Sequence, residues 1–101
     1  MSDEARSWNF LSNHGHVLLC LARDPERRMR DIADEVGITE RSVQRIISDL
    51  ESGGCLVREK IGRRNSYRVV LGAPLRHALE RHRTVGDLIE LVGAATLEND
   101  A

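Results

Sequence analysis

The sequence predicts a mainly α-helical domain with one small β-hairpin, in the order α-(β)-α-α-β-β-α. Three observations carry this. Apolar residues recur at helical spacing in several short stretches. Two alternating runs, "CLVREKI" and "SYRVVL", are joined by Gly62-Arg63-Arg64-Asn65, which reads as a hairpin. Finally, 41% of the 101 residues are hydrophobic but only 3% are aromatic, so any core is aliphatic and of single-domain size.

The elements follow in order. Residues 1–7 read as a frayed end, and Trp8, Phe10 and Leu11 form the one large aromatic-apolar cluster. Ser12 or Asn13 can cap a helix from His14 that carries Val17, Leu18 and Leu21. Pro25 stops it and forces Asp24 extended. Met29 is expected in a short strand. Ile32, Ala33 and Val36 then mark one face of a short helix, which Gly37 ends. Thr39 is a good N-cap for "TERSVQRIISDLESGG", the clearest periodic stretch, closed by Gly53 and Gly54. Beyond the hairpin, "LRHALERH" is expected to be helical. A last helix over 84–97 has Thr84 as its cap and Val85, Leu88, Ile89 and Val92 at i, i+3, i+4 and i+7. The whole of 1–101 is read as one domain.

The composition narrows the function classes. Fifteen basic residues against sixteen acidic give a formal charge of -1, so an electropositive surface has to be local. Residues 58–68 supply one, at net +4: Arg58, Lys60, Arg63, Arg64 and Arg68 against Glu59. Cys20 and Cys55 form no CxxC pair, so no disulfide framework is implied and a reducing cytoplasm is the expected compartment. The polar start "MSDEARS" does not read as a signal peptide. The longest apolar run, Val17 to Ala22, is far short of the ~20 residues of a membrane span. No phosphate-cradling glycine loop, nucleophile elbow or HExxH motif is present, so no enzyme is expected. His77 and His82 are five apart and His14 and His16 two apart, spacings that do not put metal ligands on one helix face. Neither a metal nor another cofactor is expected.

The stretch from Arg30 to Ile47 reads short helix, glycine turn, capped helix, a helix-turn-helix pattern. With Val43 at zero and about 100° per residue, Ile46, Ile47 and Leu50 fall at about 300°, 40° and 340° on one inward stripe. Arg41, Arg45 and Ser48 fall opposite, at about 160°, 200° and 140°, flanked by Gln44 and Ser42. Arginine can grip guanine or phosphate, glutamine can pair with adenine, and serine can take either. Glu40 could contact cytosine, while Asp49 and Glu51 lie toward the far end of the helix. A solvated helix face would show the same spacing, so it is the neighbouring motifs that give the pattern its weight.

Those motifs, "IADEVGIT", "VQRIISDLESGG" and "GRRNSYRV", resemble the winged helix-turn-helix of small prokaryotic transcriptional regulators of the ArsR/MarR type, over residues 14–71. The resemblance implies a sequence-specific regulator of double-stranded DNA. In it, Thr39, Arg41, Ser42, Gln44, Arg45 and Ser48 of the recognition helix (39–52) serve the major groove. Arg63, Arg64 and Asn65 form the tip of the wing (56–71), on the backbone or the adjacent minor groove. It also favours a homodimer built on Val85, Leu88, Ile89 and Val92, against the plain alternative that this helix covers the domain's own core. The Cys-rich metal-sensing motif of some ArsR-type members is missing here, and no effector can be read. Two rival expectations stand beside this one: a protein-interaction module without DNA affinity, and binding of structured RNA through the same wing.

Overall fold

The computed structural model describes residues 8–98, with side chains to residue 93. Residues 1–7, expected to be frayed, lie outside the described residues. Helix α1 (Asn13–Arg23) begins at Ser12, whose Oγ accepts from the Gly15 amide. It ends where Asp24 turns extended before Pro25. Helix α2 (Met29–Val36) stops at Gly37, held at φ 86. The Gly37 and Ile38 amides both close on the Ala33 carbonyl, and a side chain at position 37 would be strained by this left-handed turn. Helix α3 (Glu40–Ser52) starts from Thr39, whose Oγ1 accepts from the Ser42 amide at 3.0 Å. At its far end Gly54 has φ 80, its amide bonds to Glu51 O, and the Cys55 amide bonds to Leu50 O. This is a Schellman closure, and it turns the chain directly into the hairpin.

Strands β1 (Leu56–Ile61) and β2 (Arg64–Val69) pair antiparallel from Leu56↔Val69 to Ile61↔Arg64. The loop is therefore only Gly62-Arg63, two residues shorter than the four-residue loop expected. Gly62 takes φ 64 and Arg63 stays at negative φ, as in a II′ turn. Arg64 and Asn65 belong to β2. The last helix, α4 (Val85–Glu98), is started by a reciprocal cap. Asp87 Oδ2 accepts from the Thr84 amide at 2.9 Å, and Thr84 Oγ1 accepts from the Asp87 amide at 3.1 Å. The bond from the Thr84 backbone is the leading reason the Asp87 carboxyl sits below its ordinary pKa.

The core lies among α1, α2, α3, the base of the hairpin and the start of α4. Val17, Leu21, Ile32, Val43 and Val85 are its most deeply buried side chains. Each such aliphatic contributes about 1.5–3 kcal/mol by leaving water. Around them pack Leu18, Cys20, Ile46, Ile47, Leu50, Cys55, Leu56 and Tyr67. Cys20 and Cys55 are both free and buried. Trp8 and Phe10 stay outside, packed edge to face at 5.0 Å with 71% and 91% of their surface exposed.

Two expected elements take another form. Met29 opens α2 rather than forming a strand. The place beside β2 is taken by a single backbone bond from the Tyr67 amide to Pro25 O. It cannot grow into a ladder, because the Glu26 and Arg27 amides both turn back onto Asp24. "LRHALERH" is a run of turns rather than a helix. Its ends are tied together by the Pro74↔Thr84 bridge and a Leu75 N to Arg83 O bond. An eight-residue helix would hold those ends about 12 Å apart. His77 Nδ1 also takes the Leu79 amide, which diverts a donor that a helix would need.

Candidate nucleic-acid interface

The recognition-helix candidates emerge as the periodicity requires. Val43, Ile46, Ile47 and Leu50 are buried, and Arg41, Gln44, Arg45 and Ser48 are exposed. Arg41, Ser42, Gln44 and Arg45 line one shallow depression on the outer face of α3. Thr39 and Ser42 are already partly engaged with each other. Thr39 Oγ1 caps the helix and donates to Ser42 Oγ at 3.0 Å, leaving the Ser42 hydroxyl proton available. Thr39 is thus first a structural residue.

The charges on α3 are arranged so that its arginines stay open. Asp49 stands at i+4 from Arg45, the usual place for a helical ion pair. Its Oδ2 instead meets His14 Nε2 of α1 at 2.9 Å. Glu51 turns to Arg58 of β1 at 3.4 Å. Arg41 and Arg45 carry no ion pair among the described residues.

The wing behaves differently. Besides Arg58, Arg68 meets Glu59 at 3.1 Å, and Arg64 meets Glu26 of the α1–α2 loop at 3.4 Å. Only Arg63 and Lys60 of the five wing cations lack an ion pair among the described residues. Asn65 is exposed as the second residue of β2, one position further from the turn than Arg64. The +4 counted along residues 58–68 already includes Glu59, and Glu26 and Glu51 from outside the segment offset about half of it. His14, Glu26 and Glu51 shape this interface and escaped the sequence reading. The partners of His14 and Glu26 are far along the chain, and Arg58, though near Glu51 in sequence, is brought to it only by the turn between α3 and β1.

A second cluster lies behind α2. Glu35 pairs with Arg23 at 2.8 Å and Arg27 at 2.7 Å, and the Cys20 thiol donates to Glu35 at 3.7 Å. Burial pushes the Glu35 carboxyl up, but the Arg27 and Arg23 guanidiniums outweigh it and hold it below its ordinary value. Burial, helped by the Glu35 carboxylate, raises the Cys20 thiol. A thiol kept protonated is a packing residue rather than a nucleophile.

The four candidate dimer residues divide. Val85 is 2% exposed and belongs to the chain's own core, and Ile89 packs against that core. The expectation that Val85 meets a second copy is therefore corrected: the cap at Thr84 directs it inward. Leu88 is half-buried, while Val92 and Leu91 are exposed, Leu91 at 77%.

Among the described residues, three helices followed by a two-stranded hairpin and a closing helix form a winged helix-turn-helix fold. Residues 12–57 match the family model of winged helix-turn-helix DNA-binding domains, which spans α1 to the start of β1. The match thus takes in the whole of α3 and ends before the wing tip and α4. The sequence matches no curated protein. Among the described residues, no helix is long and apolar enough to cross a membrane, and no group of three His, Cys, Asp or Glu side chains is placed to hold a metal.

Proposed function

We propose that this chain is a transcriptional regulator of the ArsR/MarR type that binds double-stranded DNA sequence-specifically and works in the cytoplasm as a homodimer. The observation that carries the reading is the outer face of α3, where Arg41, Gln44 and Arg45 stand exposed and, among the described residues, no carboxylate claims either arginine. That face presents bidentate donors suited to guanine and adenine edges in the major groove. Ser48 extends the row, and Thr39 and Ser42 sit at the helix N-terminus, where the backbone dipole favours phosphate. Arg63 at the wing tip is the main backbone contact, with Arg64 and Asn65 beside it. The role is regulatory rather than catalytic.

The test is selection from random oligonucleotides with purified protein. An enriched motif that competes better than a mixed-sequence duplex is the expected result. Failure to retain any duplex at low salt would overturn the reading. It would favour the rival, a protein-interaction module, which the self-paired wing arginines support.

The dimer rests on the outward apolar strip of α4, Leu88 and Leu91, with Leu75 nearby. Leu91→Glu is expected to give monomers by light scattering with the circular dichroism unchanged. A wild-type protein already monomeric at micromolar concentration removes the dimer. With a dimer, the half-sites lie about one helical turn apart, roughly 34–36 Å.

A further inference from the structure

Of the wing's ion pairs, the one between Arg64 and Glu26 stands apart in its position. Arg64 is the first residue of β2, next to the turn, whereas Arg58 and Arg68 lie further down the strands. Its partner comes from the α1–α2 loop, and that loop is fastened beside β2 by the bond from the Tyr67 amide to Pro25 O at 3.0 Å. Glu26 is therefore delivered to Arg64 by the backbone. The two residues border the same cleft, with Arg27, Arg28 and Tyr67. There Arg27 is matched by Glu35 and Arg28 by Asp31, so each guanidinium lining the cleft faces a carboxylate.

Resting on the DNA-binding reading above, we infer that Glu26 is an internal competitor for DNA phosphate at Arg64, which lowers the affinity of the wing for any duplex. A carboxylate and a phosphate oxygen both present a planar guanidinium with an anionic acceptor. Glu26 occupies Arg64 in the free protein, and phosphate has to displace it. The side chains are 65% and 44% exposed at a separation of 3.4 Å, so the pair is weak enough to exchange. Since phosphate carries no sequence information, the attenuation falls equally on cognate and unrelated DNA.

The experiment titrates wild type, Glu26→Gln, Arg64→Ala and the double variant against the selected duplex and a mixed-sequence duplex at several salt concentrations. Glu26→Gln is expected to tighten both complexes by the same factor, about two- to five-fold at low salt. In the Arg64→Ala background that gain disappears. Glu26→Asp keeps the charge but shortens the reach, so it is expected to show part of the gain and covers a folding failure of the glutamine variant. A structural role for Glu26 would weaken binding instead. No gain, or a gain that persists without Arg64 and so reports only long-range repulsion, overturns the inference while leaving the DNA-binding reading in place. Wild type that binds neither duplex overturns both.

Discussion

The recognition helix and the wing hold their arginines in opposite ways. On α3, Arg41 and Arg45 carry no ion pair among the described residues, and the acid one turn beyond Arg45 is drawn off by His14. On the hairpin, Arg58, Arg64 and Arg68 each meet a glutamate. The geometry of the elements accounts for the contrast. On the helix Asp49 follows Arg45 by one turn on the same side, and it is the packing of α1 against α3, which brings His14 to Asp49, that keeps the two apart. A two-stranded ribbon brings Glu59, opposite Ser66, within diagonal reach of Arg68, and its exposed edges admit acids from the loop and from α3. An arginine contributes to DNA binding only what remains after it leaves its existing partner. The wing is accordingly a weaker cation source than its composition indicates.

The largest expected effect tests the scaffold beneath this contrast. Ile47→Ala opens a cavity under α3 and is expected to cost about 2–5 kcal/mol in urea unfolding. Arg58→Ala, which breaks an exposed pair, is expected to cost at most about 1 kcal/mol in the same assay. Comparable losses would mean that the wing pairs are structural. Next in size is the difference in DNA binding. Arg45→Ala is expected to cost about 1–3 kcal/mol on the selected site and to relax one position of it. Arg63→Ala is expected to weaken both duplexes alike and to lower the salt slope by about one. Equal sequence effects of the two variants would erase the division of labour.

A smaller effect sharpens the reason why α3 is open. His14→Ala is expected to release Asp49 onto Arg45 and to weaken the selected complex by about two-fold, the measure of a helical ion pair. Unchanged affinity would show that Arg45 needs no such protection. The smallest test uses the inner cluster, where arginines are consumed by stability. The folded-state pKa of Glu35 lies below its unfolded value, so its contribution is present above the unfolded pKa and is lost as pH falls through the folded one. Glu35→Gln is therefore expected to reduce stability at neutral pH and to flatten its decline into acid, followed by thermal unfolding across pH.

The helices were legible because their signals are local. Ser12, Thr39 and Thr84 are caps, Gly37 and Gly54 are stops, and the stripe Val43, Ile46, Ile47, Leu50 needs only a period of 3.6. Met29 was misleading because a strand exists only by pairing, and here Asp24 captures the amides that would have paired. The segment "LRHALERH" (75–82) was misleading because the bridge that closes it joins residues on either side. The outer face of α3 could likewise be read from spacing. The engagement of Arg64 and of Asp49 could not, since His14 lies 35 residues from its partner and only the fold brings them together.

Gly86 has a mechanical consequence. A Cβ there would meet Leu71 O at 3.0 Å, and the Gly86 and Val85 amides bond to Leu71 O and Ala73 O. The start of α4 is thus riveted to the chain just past β2, with no slack for a side chain between them. A methyl group at position 86 would act as a wedge between the first turn of α4 and the chain that leaves the hairpin.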